Sequence, residues 1–274
     1  MSRLEILRDS FEGSFRNGRL WLVQFFANPI LFALFAAWLL IPVASNLHLV
    51  YNFVSVFLLV VAALVLHAGT LNLFADRRRS QLAALWPAFR RALRHLVAVA
   101  LCVAVFCLLW VLVNKLEAYQ GNFPAYVRST FPVSVRRHIT LPALDTLFAI
   151  VLFIFRWILA PGLLLPFLLQ AADRGFRGFG HQGLSAWART IFSFSYWLVL
   201  AFAALPGVLA TQKIITWTPD FRTSTFHSEA ISLAWRLSVS YLLGLSSWML
   251  VCSVVGRCAV VADTSPDISG NPAA

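Results

Sequence analysis

Residues 96–113 read LVAVALCVAVFCLLWVLV, from Leu96 to Val113, without one charged side chain. A hydrocarbon core about 30 Å thick is crossed by roughly 20 apolar residues at 1.5 Å each. The run has about that length and is apolar on every face, which predicts a membrane-crossing helix. Arg90, Arg91 and Arg94 stand before it and Lys115 after it. Outward from this stretch the same pattern returns at Pro29–Ala44, Val50–Phe74, Leu141–Ala171, Ile191–Ala210 and Leu237–Ala262.

Composition agrees. The chain has 274 residues, 60% hydrophobic and 12% charged, whereas soluble domains run to about 45–50% apolar and about 25% charged. That balance excludes a disordered chain, a coiled coil, a disulfide scaffold and a soluble enzyme. The predicted fold class is therefore an all-α polytopic membrane protein with six transmembrane helices. Cys102, Cys107, Cys252 and Cys258 lie in or at the end of apolar runs, without a C-x-x-C spacing or a histidine at metal-site distance. They read as small hydrophobes.

Residues 1–28 differ from the spans. Leu4, Leu7, Phe11, Phe15, Leu22 and Phe26 recur at helical spacing, and Arg3, Arg8, Arg16 and Arg19 lie mostly off that stripe. An amphipathic helix in the membrane interface fits this pattern, as does a helix packed on the cytoplasmic end of the bundle. Glu5, Asp9 and Glu12 argue against a cleavable signal peptide. Asn28-Pro29 reads as a helix cap followed by proline at the first helical position. The alternative begins the helix near Leu20 and kinks it at Pro29. The six-helix domain then occupies 29–262, and 263–274 forms a polar, disordered cytoplasmic tail.

The net charge is +11. Its distribution in short patches between spans fits a topology signal rather than nucleic-acid binding. Six spans place both termini on one side. That side carries 14 Lys and Arg, including Arg77, Arg78, Arg79, Arg90, Arg91 and Arg94, against seven on the other. The positive-inside rule puts both termini in the cytoplasm of a bacterium-type inner membrane. The same six arginines, beside Trp86 and Phe89, are candidates for anionic lipid headgroups, at about 1 kcal/mol per cation. Topology enforcement alone also accounts for them. A membrane-protein partner or a second copy of the chain is the other partner class considered.

Three stretches share a plan. Each opens on an arginine-bearing amphipathic segment (Phe15-Arg16, Phe89-Arg90-Arg91, Ala188-Arg189), crosses, and returns to a small residue and an aspartate. Those endings are Ala75-Asp76, Ala172-Asp173 and Ala262-Asp263. Three hairpins with basic lead-ins resemble a broad set of bacterial six-span proteins. They are similar in plan to the membrane domain associated with glycerophosphodiester phosphodiesterases. The resemblance implies a membrane domain without the catalytic barrel, and so no enzymatic activity.

Among residues that could carry chemistry, Arg156 is the outlier, a lone charge inside Phe153-Ile154-Phe155-Arg156-Trp157-Ile158. A charge at mid-bilayer costs at least about 2.5–3.5 kcal/mol, so it should face the bundle or a polar cavity. Asp145 lies on the same helical face three turns earlier, and Pro161 frees the carbonyl of Trp157 beside Arg156. Arg156 with Asp145 is the candidate ligand-binding pair, for an anion or a lipid headgroup. The structural alternative has Arg156 satisfied by neighbouring helices. His67 reads as a hydrogen-bonded packing histidine, with a proton relay as the alternative. Ser238, Ser240, Gly244, Ser247 and Gly256 read as small-residue contacts. Gly175, Gly178, Gly180 and Gly183 read as a flexible hinge. Aromatics of 114–140 and 211–236 serve as interfacial anchors or roof a cavity leading to Arg156. No catalytic set, metal site or cofactor motif is present in the sequence. Two functions follow: a small transport or permease-type domain around Arg156, or a non-catalytic scaffold or lipid-interacting protein.

Overall fold

The computed structural model describes residues 3–42, 45–75, 85–218 and 226–264. Six helices among them are long and apolar enough to cross a membrane, and the described secondary structure is helical throughout. The chain is an all-α, multi-pass membrane protein. The arginines 77–79 and the 265–274 tail lie outside the described residues.

Helices α1 (Arg3–Arg16), α2 (Gly18–Leu39) and α3 (Asn46–Ala75) form the first unit. The second comprises α4 (Leu85–Arg94), α5 (Leu96–Glu117), the short α6 (Asn122–Thr130) and α7 (Val133–Arg136), α8 (Leu141–Ile154) and α9 (Ala160–Arg174). The third comprises α10 (His181–Ile191), α11 (Phe194–Ala204), α12 (Thr211–Thr216) and α13 (Phe226–Thr264). In each unit a short amphipathic helix leads in, one helix goes out and one returns.

The packing is cyclic. The outgoing helices α2, α5 and α11 pack on their own return helices α3, α9 and α13, and the three return helices touch one another. Each lead-in helix packs on the return helix of the unit before it: α4 on α3, α10 on α9, and α1 on α13. A generic run of hairpins does not require this placement, whereas a threefold repeat of plan does. The contacts are close because glycine removes a side chain. A Cβ on Gly69 of α3 would stand 1.9 Å from the Phe89 ring of α4, and one on Gly256 of α13 would stand 2.6 Å from the Phe74 backbone of α3. In lipid, such approach supplies the packing energy that water would otherwise drive.

Prolines in the spans leave carbonyls without their i+4 donor, a severe defect in hydrocarbon. Two tyrosines repair two of them. Pro29 frees the carbonyl of Phe25, and the Tyr241 hydroxyl of α13 donates to it at 3.0 Å and to the Gln24 carbonyl at 3.0 Å. Pro166 frees the carbonyl of Gly162, and the fully buried Tyr196 hydroxyl of α11 donates to it at 2.7 Å. A network around the first site ties α2 to α3: Asn28 donates to Gln24, and Gln24 donates to the Thr70 hydroxyl at 2.5 Å.

These contacts correct the start of the first span. The helix begins at Gly18 and runs through Pro29, as the alternative reading had it. Asn17 is the cap, accepting from the Leu20 N–H, and Asn28 bonds back into its own helix. Residues 3–28 thus belong to two helices, the first lying against α13 and α11. The glycine-rich segment is also no hinge. Gly175 takes a positive φ of 62° beside His95, and a Cβ on Gly183 would collide with the Gly178 carbonyl. At Gly178 and Gly183 the end of α9, the 3₁₀ turn Gly175–Phe179 and α10 meet too closely for side chains.

Candidate functional site

Two places in the bundle are candidates for a site, and they are separate. The first surrounds Arg156. Its guanidinium donates to Asn114 Oδ1 at 2.7 Å and pairs with Glu117 Oε2 at 2.6 Å, both from α5. It also lies over the Trp110 ring, 5.1 Å from the centroid, and Trp110 meets Trp157 edge to face at 4.9 Å. The charge is therefore compensated, electrostatically by Glu117 and by the ring quadrupole of Trp110. The Trp157 carbonyl is not its partner, and neither is Asp145.

Arg156 also sits at a different depth from the sequence expectation. It is 18 residues from Arg174, the end of α9, or about 27 Å of helix. Asn114 is as far from Leu96, the start of α5. Both positions fall near the far boundary of a core about 30 Å thick, not at its middle. The fourth run is too long for one crossing because α8 continues beyond that boundary. There α6 packs on it, and Phe123 meets Phe148 at 5.0 Å. The Arg156 side chain is 17% exposed and Glu117 is 49% exposed, as befits a capped interfacial arginine.

The second place is a half-open cavity of about 570 Å³ between the helices. It lies among single faces of α3, α5, α9, the α11 span and α13, and Arg156 does not line it. The expected polar cavity around Arg156 is thus replaced by an apolar one next to its neighbour Trp157. Two π-helical turns border the space, Phe155–Leu159 and Leu205–Ala210. Both belong to a Pro-Gly step. Pro161 cannot donate to Trp157, and the Ala160 N–H reaches back to the Phe155 carbonyl, which widens the turn. Pro206 lies within the second turn, where the Thr211 hydroxyl lies 3.3 Å from the Pro206 carbonyl it donates to.

Three of the lining residues hold a side-chain polar atom that is enclosed by protein and has no hydrogen-bond partner among the described residues: His67 Nδ1, Ser247 Oγ and Trp248 Nε1. His67 and Trp248 meet edge to face at 5.2 Å. His67 is a packing residue, as expected, held edge to face on Trp248, and its Nδ1 has no hydrogen-bond partner among the described residues. Ser247 and Gly256 make the close contacts expected of them, Ser247 against Gly207, where a Cβ would stand 2.7 Å from its Oγ, whereas nothing lies within 4 Å of a Cβ on Gly244. A smaller cavity, of about 220 Å³, shares His67 and Trp248 with the first and is bounded also by Asn28 and Tyr241. Sequence reading did not single out Trp248 or the two π-turns. The paired signals Pro161-Gly162 and Pro206-Gly207 were the available pointer to them.

The candidate lipid-contacting arginines divide. Arg91 pairs with Asp173 at 2.6 Å and fastens α4 to the end of α9, helped by Asn72 donating to the Ala172 carbonyl. Arg90 and Arg94 are exposed beside Trp86, which is 71% exposed. Asp145 has one carboxylate oxygen buried without a hydrogen-bond partner among the described residues. All four cysteines are free, and three are buried. Compared with family models, curated proteins and solved structures, the chain matches none of them.

Proposed function

We propose that the chain is a non-catalytic, lipid-interacting protein of a bacterial inner membrane, with both termini cytoplasmic, and that it holds a lipophilic molecule in its half-open cavity. The observation that carries this reading is the cavity of about 570 Å³ between two π-turns. The volume falls inside the about 300–1,000 Å³ of small-molecule pockets, and π-turns are enriched at functional sites. The 14-to-7 cation bias supports the orientation. Exposed Arg90, Arg94 and Trp86 fit an interface with anionic headgroups. A permease built on Arg156 loses its support, because Glu117 compensates that arginine and the cavity lies elsewhere.

The test is the lipid complement of the purified protein. Protein extracted in polymer-bounded discs and examined by native mass spectrometry should carry about one equivalent of a bound lipophile. Ala204→Phe, which fills the cavity, should lose it while remaining folded. Identical complements in both proteins would refute the reading.

A further inference from the structure

We propose that the cavity is a blind slot for the hydrocarbon chain of a lipid, entered from the leaflet opposite the lead-in helices, with the lipid's head left outside at that interface. The proposal rests on the reading above and adds the class of ligand, its orientation and its side of entry. The helix ends at the lead-in side share a level: Asn72 of α3 bonds to Ala172 of α9, and Gly256 of α13 abuts Phe74 of α3. Counted along each helix from that end, Val99, Cys102, Ala68, Leu200 and Ala203 lie about 5–14 Å deep. All five line the cavity and are buried. Leu168 and Val251, at a similar level, pack on buried core residues. The lining residues deeper than about 16 Å are all partly exposed. Among them Ala63, Gly244 and Val208 lie about 18–21 Å along, and Trp157 about 25 Å. A core about 30 Å thick has its midplane near 15 Å. The mouth is therefore in the far leaflet, and the slot runs from it past the midplane to a closed floor.

The packing of the bundle has the same polarity. Apart from Asn52, every buried residue of α3 lies in Leu66–Leu73, next to the lead-in end. The buried residues of the fifth span all belong to α11, and none to the π-turn or α12 beyond it. The helices are thus packed tightly at one end and leave an apolar wedge toward the other. Apolar space of this kind does not hold water. At the depth of the mouth the surrounding medium is the chain region of the far leaflet, so a lipid chain is the group at hand to fill it. The cavity extends from Trp157 to Leu168 on α9, about 16 Å of helix, well beyond the width of a sphere of its volume. That length suits an extended chain. No Asp, Glu, Lys or Arg lines the walls, so a charged head is better left in the interface than buried. Trp157 at the mouth meets Trp110 edge to face, and tryptophans favour that level of a membrane. Arg156 marks the same level without lining the cavity.

The experiment uses the full chain in phosphatidylcholine proteoliposomes and two photoreactive phosphatidylcholines. The two probes differ only in the place of a diazirine, at the terminal carbon of one chain or beside its carboxyl group. The signal is the labelling, mapped by peptide mass spectrometry, that is lost on Ala204→Phe. The terminal probe should label the floor, at Val99, Cys102 and Leu200, several-fold more than the carboxyl-side probe. The carboxyl-side probe should prefer Trp157 and Val208 at the mouth. Val103→Phe, a second change that fills the cavity, should remove the same labelling and serves if Ala204→Phe fails to fold. The reverse pattern, with the carboxyl-side label on the floor, would place entry at the lead-in side and overturn the proposal, while the lipid-holding function would stand. Equal labelling of floor and mouth by both probes would also overturn it. If neither variant removes any labelling, the proposal is overturned, and the bound lipophile in native mass spectra decides separately whether the lipid-holding function stands.

Discussion

Tyr196→Phe removes one hydroxyl from the most buried aromatic in the bundle and leaves everything else in place. The wild-type hydroxyl donates at 2.7 Å to the Gly162 carbonyl, which Pro166 has deprived of its helical donor. Tyr196 is 0% exposed, so neither water nor lipid headgroup reaches the carbonyl once the hydroxyl is gone. Interhelical hydrogen bonds in membrane proteins average about 0.6 kcal/mol and reach about 1.7. This bond should lie near the upper value, because its acceptor has no second donor. The expected change in the unfolding equilibrium is up to roughly eighteenfold. The assay is steric trapping or denaturant titration in bicelles, run as a cycle with Pro166→Ala. An alanine at 166 returns an N–H to the carbonyl, so Tyr196→Phe should cost clearly less in that background. Equal costs with and without the proline would refute the idea that tyrosine repairs a proline defect.

Glu117→Gln keeps the hydrogen-bonding shape around Arg156 and removes the charge. Because Glu117 is 49% exposed, stability should fall by no more than about 1 kcal/mol, read as a small shift in Tm, and the bound lipophile should be retained. Loss of the lipophile would return Arg156 to the site. Gly256→Leu should force α13 away from the Phe74 backbone of α3 and cost about 1–3 kcal/mol or more, whereas Gly244→Ala, with open space around it, should leave Tm within a degree or two; the reverse order would contradict the packing. A reporter fused after Ala274 should read cytoplasmic, and one inserted at Gly121 should read from the opposite side. Exchanged signals would invert the orientation.

The spans were legible because hydropathy alone decides them. The charge-free run from Leu96 needs no tertiary information, and neither does the basic lead-in before it. The limits of the spans were less legible. At Asn28-Pro29 a cap and a mid-helix proline look alike in sequence. Only the Tyr241 hydroxyl, over two hundred residues away, makes the second tolerable. Arg156 was visible as an outlier but was set too deep, because α8 is as apolar as the true crossing and nothing in the residues marks the boundary. Its partner Glu117 lies four residues past the charge-free run and looked like loop. The cavity was illegible for a different reason. A cavity is a property of five helices at once, and His67 meets Trp248 beside it only through tertiary packing.

A density map of the protein in nanodiscs tests the central claim most directly. Elongated density should fill the space between the two π-turns, against Trp157 and Val208. A space closed by repacked side chains, or filled by discrete waters alone, would contradict the account.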